Sequence, residues 1–384
     1  MSAATLMHVA LYAPMKPPDD PLPSGDRQAV RMIVRALELA GHRTEVASRL
    51  VSWLPAPDAA ADARQRAEAA VEVESLLERW QAGSAERPDL FLTYHLYHRA
   101  PDRIGPAVAA RLGIPYVVIE ASRALKRATG PWAERFREVD TALAAADAVA
   151  AIHAEDAEGL AAVVPEARLH RLAPFLDAAP FRAAAGRSPS TGAVQLLAVG
   201  MMRPGDKARS YAVLADALAR LADQPWRLSI VGDGPARPEV EAAFAARGLG
   251  ADRVSILGAR ASEAMPAVYA GADVLVWPAI NEAYGFVFLE AQAAGLPVVG
   301  ARRGGVPEIV REGETGLLAP EGDATAFAGC VAALLADPLA RARMGAAAAT
   351  HIAAHHDLPV AARRLDAIFA AAMQSRQERA ICAR

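Results

Sequence analysis

Short apolar runs, each closed by a proline, glycine, histidine or carboxylate and followed by a helical pattern, recur along both halves of this chain, at residues 7–13, 89–94, 114–119, 194–199, 228–231, 254–257 and 273–277. Runs so short and so evenly apolar read as buried strands, and their alternation with helical patterns is the arrangement of parallel α/β domains. In such sheets ligands lie beyond the carboxyl ends of the strands, so the residues just after each run carry the chemistry. The chain has 384 residues, longer than one core ordinarily supports, which predicts two domains. A polar Gly/Ser/Pro stretch at 186–192 is the best linker, and a second sheet begins at Val194.

Residues 278–316 are the most informative stretch, PAINEAYGFVFLEAQAAGLPVVGARRGGVPEIVREGETG. Pro278 to Tyr284 is punctuated as a loop and Gly285 stands where a helix begins, so Glu282 precedes that helix and Glu290 lies within it. At about 1.5 Å per residue the two carboxylates stand up to roughly 12 Å apart, too far to share a proton or a small metal ion. They suit two parts of one elongated ligand. The free N–H groups of the helix start favour anionic or oxygen-rich groups between them, and a nucleotide sugar fits that arrangement.

The ordered set of Glu282, Ala283-Tyr284-Gly285-Phe286, Glu290, Ala294-Gly295-Leu296-Pro297-Val298-Val299, Gly304-Gly305-Val306-Pro307-Glu308 and Glu314-Thr315-Gly316-Leu317-Leu318 resembles the family 4 retaining glycosyltransferases. That resemblance implies a GT-B fold, two doubly wound Rossmann-like domains facing across a cleft. It divides the chain into an acceptor-side domain at 1–186, a nucleotide-sugar domain at 187–358 and a helix at 359–384 that crosses back to the first domain. It implies Glu290 on the ribose diol, and Glu282 with the backbone around Tyr284, Gly285, Phe286 and Val287 on the sugar hydroxyls. Relatives carry an arginine directly after Gly200 and a lysine soon after it, for the donor diphosphate. Here Met201 holds the arginine position, and Arg203 and Lys207 are the cations left to neutralise the leaving group. Gly232 and Asp233 border the donor in relatives, and the loop ending at Arg260 meets the nucleobase. Gly25, in the loop after the first strand, would approach the donor phosphates or simply make a turn. The donor implied is a nucleoside diphosphate sugar, UDP in preference to GDP, with no cofactor and no metal.

The first half is less specific. Arg27, Arg31 and Arg35 form one stripe of a helix, expected to be a solvated face. His95 and His98 follow the strand at 89–94, where a histidine serves acceptor binding or proton shuttling. Glu120 occupies the place where many relatives have an active-site histidine, so it becomes the acceptor-side candidate. Arg123, Lys126, Arg127 and Arg135 then surround Leu125 and Trp132, a pattern that meets an anionic or lipid-linked acceptor at a membrane surface or forms a solvated loop.

Composition removes other classes. A formal charge of -3 lacks the basic excess of a nucleic-acid binder. Two cysteines at 330 and 382 give neither a disulfide framework nor a metal spacing, which fits a reducing cytoplasm, with the inner membrane face as a peripheral location. No Asp-x-Asp pair, HExxH or Walker A loop occurs, and Gly232-Asp233-Gly234-Pro235 is not a dinucleotide fingerprint. Two rivals share the fold: an epimerase or hydrolase of nucleotide sugars, and a non-catalytic nucleotide-sugar-binding protein, motivated by Met201 and Glu120.

Overall fold

The computed structural model describes residues 6–22, 24–83, 85–185, 192–282 and 285–382. Two compact units divide the chain: Met1–Ala173 with Leu358–Arg384, and Pro174–Asp357.

The first unit holds six strands, β1 (His8–Tyr12), β2 (Arg43–Ser48), β3 (Leu90–Leu96), β4 (Tyr116–Ala121), β5 (Ala148–Ala151) and β6 (Leu169–Arg171). They pair in parallel in the order β2-β1-β3-β4-β5-β6, with Val9 opposite Leu90 and Phe91 opposite Tyr116. All five residues of β1 are buried, as a strand covered by helices on both faces requires. The chain turns one way from β1 to β2 and the other way through β3, so the loops leaving β1 and β3 part and open a crevice at the carboxyl ends. The edge strand β2 escapes sequence reading because its residues RTEVAS are polar and half exposed.

The helix Leu358–Cys382 belongs to this unit. It buries Leu358, Ala361, Ala362, Leu365, Ile368, Phe369 and Ala372, one stripe at helical spacing. Full burial of Leu365, Ile368 and Phe369 contributes about 1.5–3 kcal/mol each. His42 Nε2 lies 2.8 Å from Asp366, and Arg379 donates to Asp147 at 3.0 Å, fixing both ends. The charged residues after Met373 continue the helix rather than forming a tail.

The second unit has β7 (Val194–Val199), β8 (Trp226–Val231), β9 (Val254–Ile256), β10 (Val274–Val276), β11 (Val298–Ala301) and β12 (Gly316–Ala319), all parallel, in the order β12-β11-β10-β7-β8-β9. Here the order reverses between β7 and β10. Its boundary falls at 173/174, not at 186/187 as the sequence suggests, because residues 174–185 pack on this unit. Leu176 N donates to His356 O at 3.0 Å, Ala178 N to Asp357 at 3.1 Å, and the Phe181 and Tyr269 rings meet at 5.7 Å. Residues 186–191 of the expected linker lie outside the described residues.

Candidate active site

In the second unit the loops leaving β7 and β10 flank the reversal of strand order, and they carry the acidic and basic candidates. Helix Asp206–Ala219 starts at Gly205, and Lys207 sits in its first turn. Its Nζ donates to Glu282 Oε2 at 2.5 Å and stands 5.5 Å above the ring of Trp277, which is fully buried and directs its own Nε1 at the same oxygen from 3.4 Å. Tyr211 packs edge-on against Trp277 and donates to Gly200 O at 2.6 Å. A cation half removed from water over an aromatic face acts in a lower dielectric than a surface lysine and so exerts a stronger field.

The backbone of Glu282 is clamped. Gly304 has φ +58, and a Cβ there would lie 2.1 Å from Glu282 O, so only glycine lets the two loops meet. Gly305 N donates to Glu282 O at 3.2 Å, Ile280 N to Ser210 Oγ at 3.0 Å, and Asn281 bridges Glu321 (2.7 Å) and Asp206 (2.9 Å). The hydrogen bond from Asn281, and a second from Arg209 to the same carboxylate, hold Asp206 below its usual range. Ala279 and Asn281 both take φ +52, a left-handed conformation costing on the order of 1–3 kcal/mol each that the clamp sustains.

Gly285, at φ +74, caps helix Phe286–Ala293, so the first amides of that helix, those of Phe286 and Val287, emerge beside Glu282 in the chain. Tyr284 lies outside the described residues. Glu290 accepts from the hydroxyl of Tyr269 at 2.7 Å. Burial first, and Glu290 second, push the Tyr269 hydroxyl well above its ordinary pKa, so it stays a donor. Sequence reading missed Tyr269, whose only signal was a tyrosine in a short helix.

Gly232 also has a reason within the fold. At φ +153 its missing Cβ would sit 1.9 Å from Gly200 O, so the glycine lets the loops after β7 and β8 touch each other. Met202 N to Asp233 O at 2.9 Å and Gly232 N to Gly258 O at 3.0 Å continue the lacing. The Asp233 side chain is exposed and pairs with Arg237 at 3.2 Å, and Arg203 and Arg260 are exposed. Met201 is 37% exposed where relatives hold an arginine.

In the first unit the structure brings His95 and Glu120 together and adds two partners. His95 Nδ1 lies 2.9 Å from Asp26 Oδ1 and 3.8 Å from Glu120 Oε1, and Tyr94 donates to Glu120 Oε2 at 2.5 Å. Both residues lie inside their strands rather than beyond them, in left-handed backbone (φ +63 and +59). Asp26 was legible only as part of a helix start. Gly25 is not a turn: it opens helix Gly25–Leu39, capped by Ser24 Oγ, and a Cβ there would meet nothing within 4 Å.

Arg31 and Arg35 are exposed, as expected of a solvated stripe, while Arg27 and Arg31 also tie down the loop before the helix, donating to Asp20 O (2.8 Å) and Pro18 O (2.7 Å). In the set around Trp132, Lys126 is exposed, but two of the arginines are engaged internally. Arg135 is buried, donating to Ser52, His98 and Arg99 carbonyls and to Asp62, and Arg123 pairs with Asp140 through both nitrogens at 2.7 and 2.9 Å. Carbonyls buried beneath this helix need donors, and the Arg135 guanidinium fork reaches them. His98 packs edge-on to Trp132, and burial together with the nearby Arg127 holds its pKa down to about 4. Among the described residues no group of three or more His, Cys, Asp and Glu side chains could hold a metal ion, and no single helix is long and apolar enough to cross a membrane.

Two doubly wound parallel units in one chain, with a cation and carboxylates at the switch point of the second, define the GT-B class of nucleotide-sugar enzymes. HepE of Anabaena, solved in complex with UDP, shares this fold with a TM-score of 0.70 and 17% identity, covering 95% of this chain and 100% of that one. The family model described as glycosyl transferases group 1 matches residues 193–337. D-inositol 3-phosphate glycosyltransferase of Streptomyces avermitilis is 33% identical over 328 residues, 78% of this chain and 69% of that protein. The enzyme of the same name from Corynebacterium efficiens is 38% identical over 202 residues, 51% of this chain, which spans 47% of that relative. The chain belongs to the group 1 glycosyltransferases, family 4 of the GT-B enzymes.

Proposed function

We propose that this glycosyltransferase moves a hexose from a nucleoside diphosphate sugar, UDP in preference to GDP, to a hydroxyl of a sugar or polyol, with retention at the anomeric carbon and without metal or cofactor. The observation that carries this is Lys207, held by Glu282 over Trp277 at the switch point of the second unit. As the bond to the leaving diphosphate breaks, negative charge grows on its oxygens, and a preorganised ammonium at a helix start offsets it without reorganising. Arg203, exposed in the same loop, supplies a second cation in place of the arginine missing at Met201. Glu282 shares Lys207 with the diphosphate and takes a sugar hydroxyl on its other oxygen, beside the amides of Phe286 and Val287. Glu290, aimed by Tyr269, takes the ribose diol, while the loops at Gly232, Asp233 and Arg260 border the nucleotide. UDP is favoured because HepE, with the same fold, binds it.

The first unit serves the acceptor through His95 and Glu120. With Arg123 and Arg135 engaged internally and two carboxylates beside His95, that end suits an uncharged hydroxyl acceptor over an anionic or lipid-linked one. Calorimetry with UDP and GDP, followed by transfer assays over an acceptor panel, tests the proposal. UDP binding, EDTA-insensitive transfer and a product of unchanged anomeric configuration are expected. Absence of nucleoside diphosphate binding at about millimolar concentration overturns it, and binding without any transfer turns the exposed Met201 into the mark of a binding protein.

A further inference from the structure

At the carboxyl end of the first unit's sheet, His95 is held from three directions. Asp26, from the start of helix Gly25–Leu39, meets its Nδ1 at 2.9 Å, and Glu120 of β4 lies 3.8 Å from the same nitrogen. Tyr97 stacks on the ring, with centroids 4.7 Å apart and planes tilted by 29°. Tyr97 is itself fixed, accepting from Trp53 Nε1 at 3.0 Å and donating to Met15 Sδ at 3.6 Å. With Nδ1 given to carboxylates and the ring plane set by the stack, the edge of the imidazole that remains for a ligand is the one bearing Nε2.

We infer that Asp26 is a positioning residue that fixes His95 so that the ring presents an Nε2–H to the acceptor oxygen, orienting that oxygen for transfer without taking its proton. This rests on the acceptor role proposed above for this end of the unit. The alternative, a neutral imidazole acting as base, conflicts with the surroundings of the ring. Burial alone lowers the affinity of His95 for its second proton, but Glu120, Asp26 and more distant Asp156 outweigh it and raise the pKa above 6.5. Reciprocally, burial works against the Asp26 charge, yet the hydrogen bond and charge of His95 keep that carboxyl below its usual range, with Lys16 adding to the effect. The other ionisable groups near the ring are Tyr94 and Tyr97, one in edge contact and one stacked. Burial holds the Tyr97 hydroxyl above its ordinary pKa, so it stays neutral. An imidazolium cannot accept a proton, but it donates a charge-assisted hydrogen bond, which fixes the direction of a hydroxyl lone pair. Left-handed backbone at both His95 and Glu120 brings the two side chains of neighbouring strands onto one spot.

The test uses the full chain and two readouts. NMR titration of the His95 ring, assigned by its loss in His95→Gln, should give a midpoint above 6.5, and Asp26→Asn should lower that midpoint by about one unit. In transfer assays kcat/KM for the acceptor should fall as pH rises through the same midpoint, and Asp26→Asn should move that limb to lower pH, with nucleotide Kd unchanged within about twofold. Asp26→Glu should restore part of the limb, which a merely structural aspartate would not do. A wild-type midpoint at or below 6.5, or a midpoint and limb that ignore Asp26→Asn, overturns the inference. A shifted titration with transfer unaffected at every pH removes the substrate role. If the wild type binds no nucleotide sugar and transfers nothing, the transferase proposal fails first and takes this one with it, and the nucleotide-binding result tells the two failures apart.

Discussion

Tyr269→Phe removes one hydroxyl and no carbon, at a position with no exposure, so its effect isolates the hydrogen bond to Glu290. That bond joins a buried phenol, kept protonated by its surroundings, to a carboxylate at 2.7 Å. A hydrogen bond to a charged group is worth about 1.5–3 kcal/mol, which bounds the loss of nucleotide affinity at roughly 10- to 150-fold if the phenol is what orients Glu290 onto the ribose. The aromatic packing against Phe181 is retained, so the melting temperature should move by a few degrees at most. Calorimetric titration with UDP measures the effect directly. Glu290→Gln should weaken UDP at least as much, and Tyr269→Phe added to it should cost little more, because both changes remove the same interaction. A Tyr269→Phe protein that binds UDP as tightly as wild type would falsify the positioning of Glu290 by Tyr269. Additive losses in the double mutant would show that the two residues act separately.

Glu282→Gln should keep nucleotide Kd within a few-fold but cut turnover by about 100-fold, since it frees Lys207 from its partner while removing the sugar contact. Equal losses in binding and turnover would refute that division. Arg135→Met should destabilise the fold by about 3 kcal/mol or more in chemical denaturation, leaving the Ser52, His98 and Arg99 carbonyls short of donors although Asp62 keeps Arg66 and Arg103, whereas exposed Lys126→Ala should be neutral. A membrane or anionic-acceptor role for this set would instead make Lys126→Ala the functional lesion. His351 is buried, and burial with neighbouring His356 lowers its pKa to about 3. It is therefore neutral when folded and charges only on unfolding. Its contribution is full above pH 6.5 and is lost as pH falls from 6.5 toward 3, on the order of 2 kcal/mol by pH 5. Stability measured from pH 8 to 5 should fall less steeply in His351→Gln, and an unchanged slope would sink this assignment.

Alternation of apolar runs with helical patterns was enough to give two parallel α/β units, because burial on both faces leaves a continuous hydrophobic signature that needs no partner to be read. Gly285 and the carboxylates on either side of it were legible for the same reason: a helix start is a local event. What the chain could not disclose by itself was which polar groups meet. Lys207 and Glu282 are 75 residues apart, and Asp26 and His95 are 69 apart. Each pair forms only because strand order brings the two loops to one end of a sheet. Gly232 and Gly304 relieve contacts between neighbouring loops, which no local pattern announces. Arg135, beside Trp132, looked like part of a surface for anions or a solvated loop, yet carbonyls from distant segments draw it inward. A charged side chain has no periodicity that reports its partner, so sequence set the elements and their hydrophobic faces, while the tertiary fold alone decided which charges face a substrate and which hold the protein together.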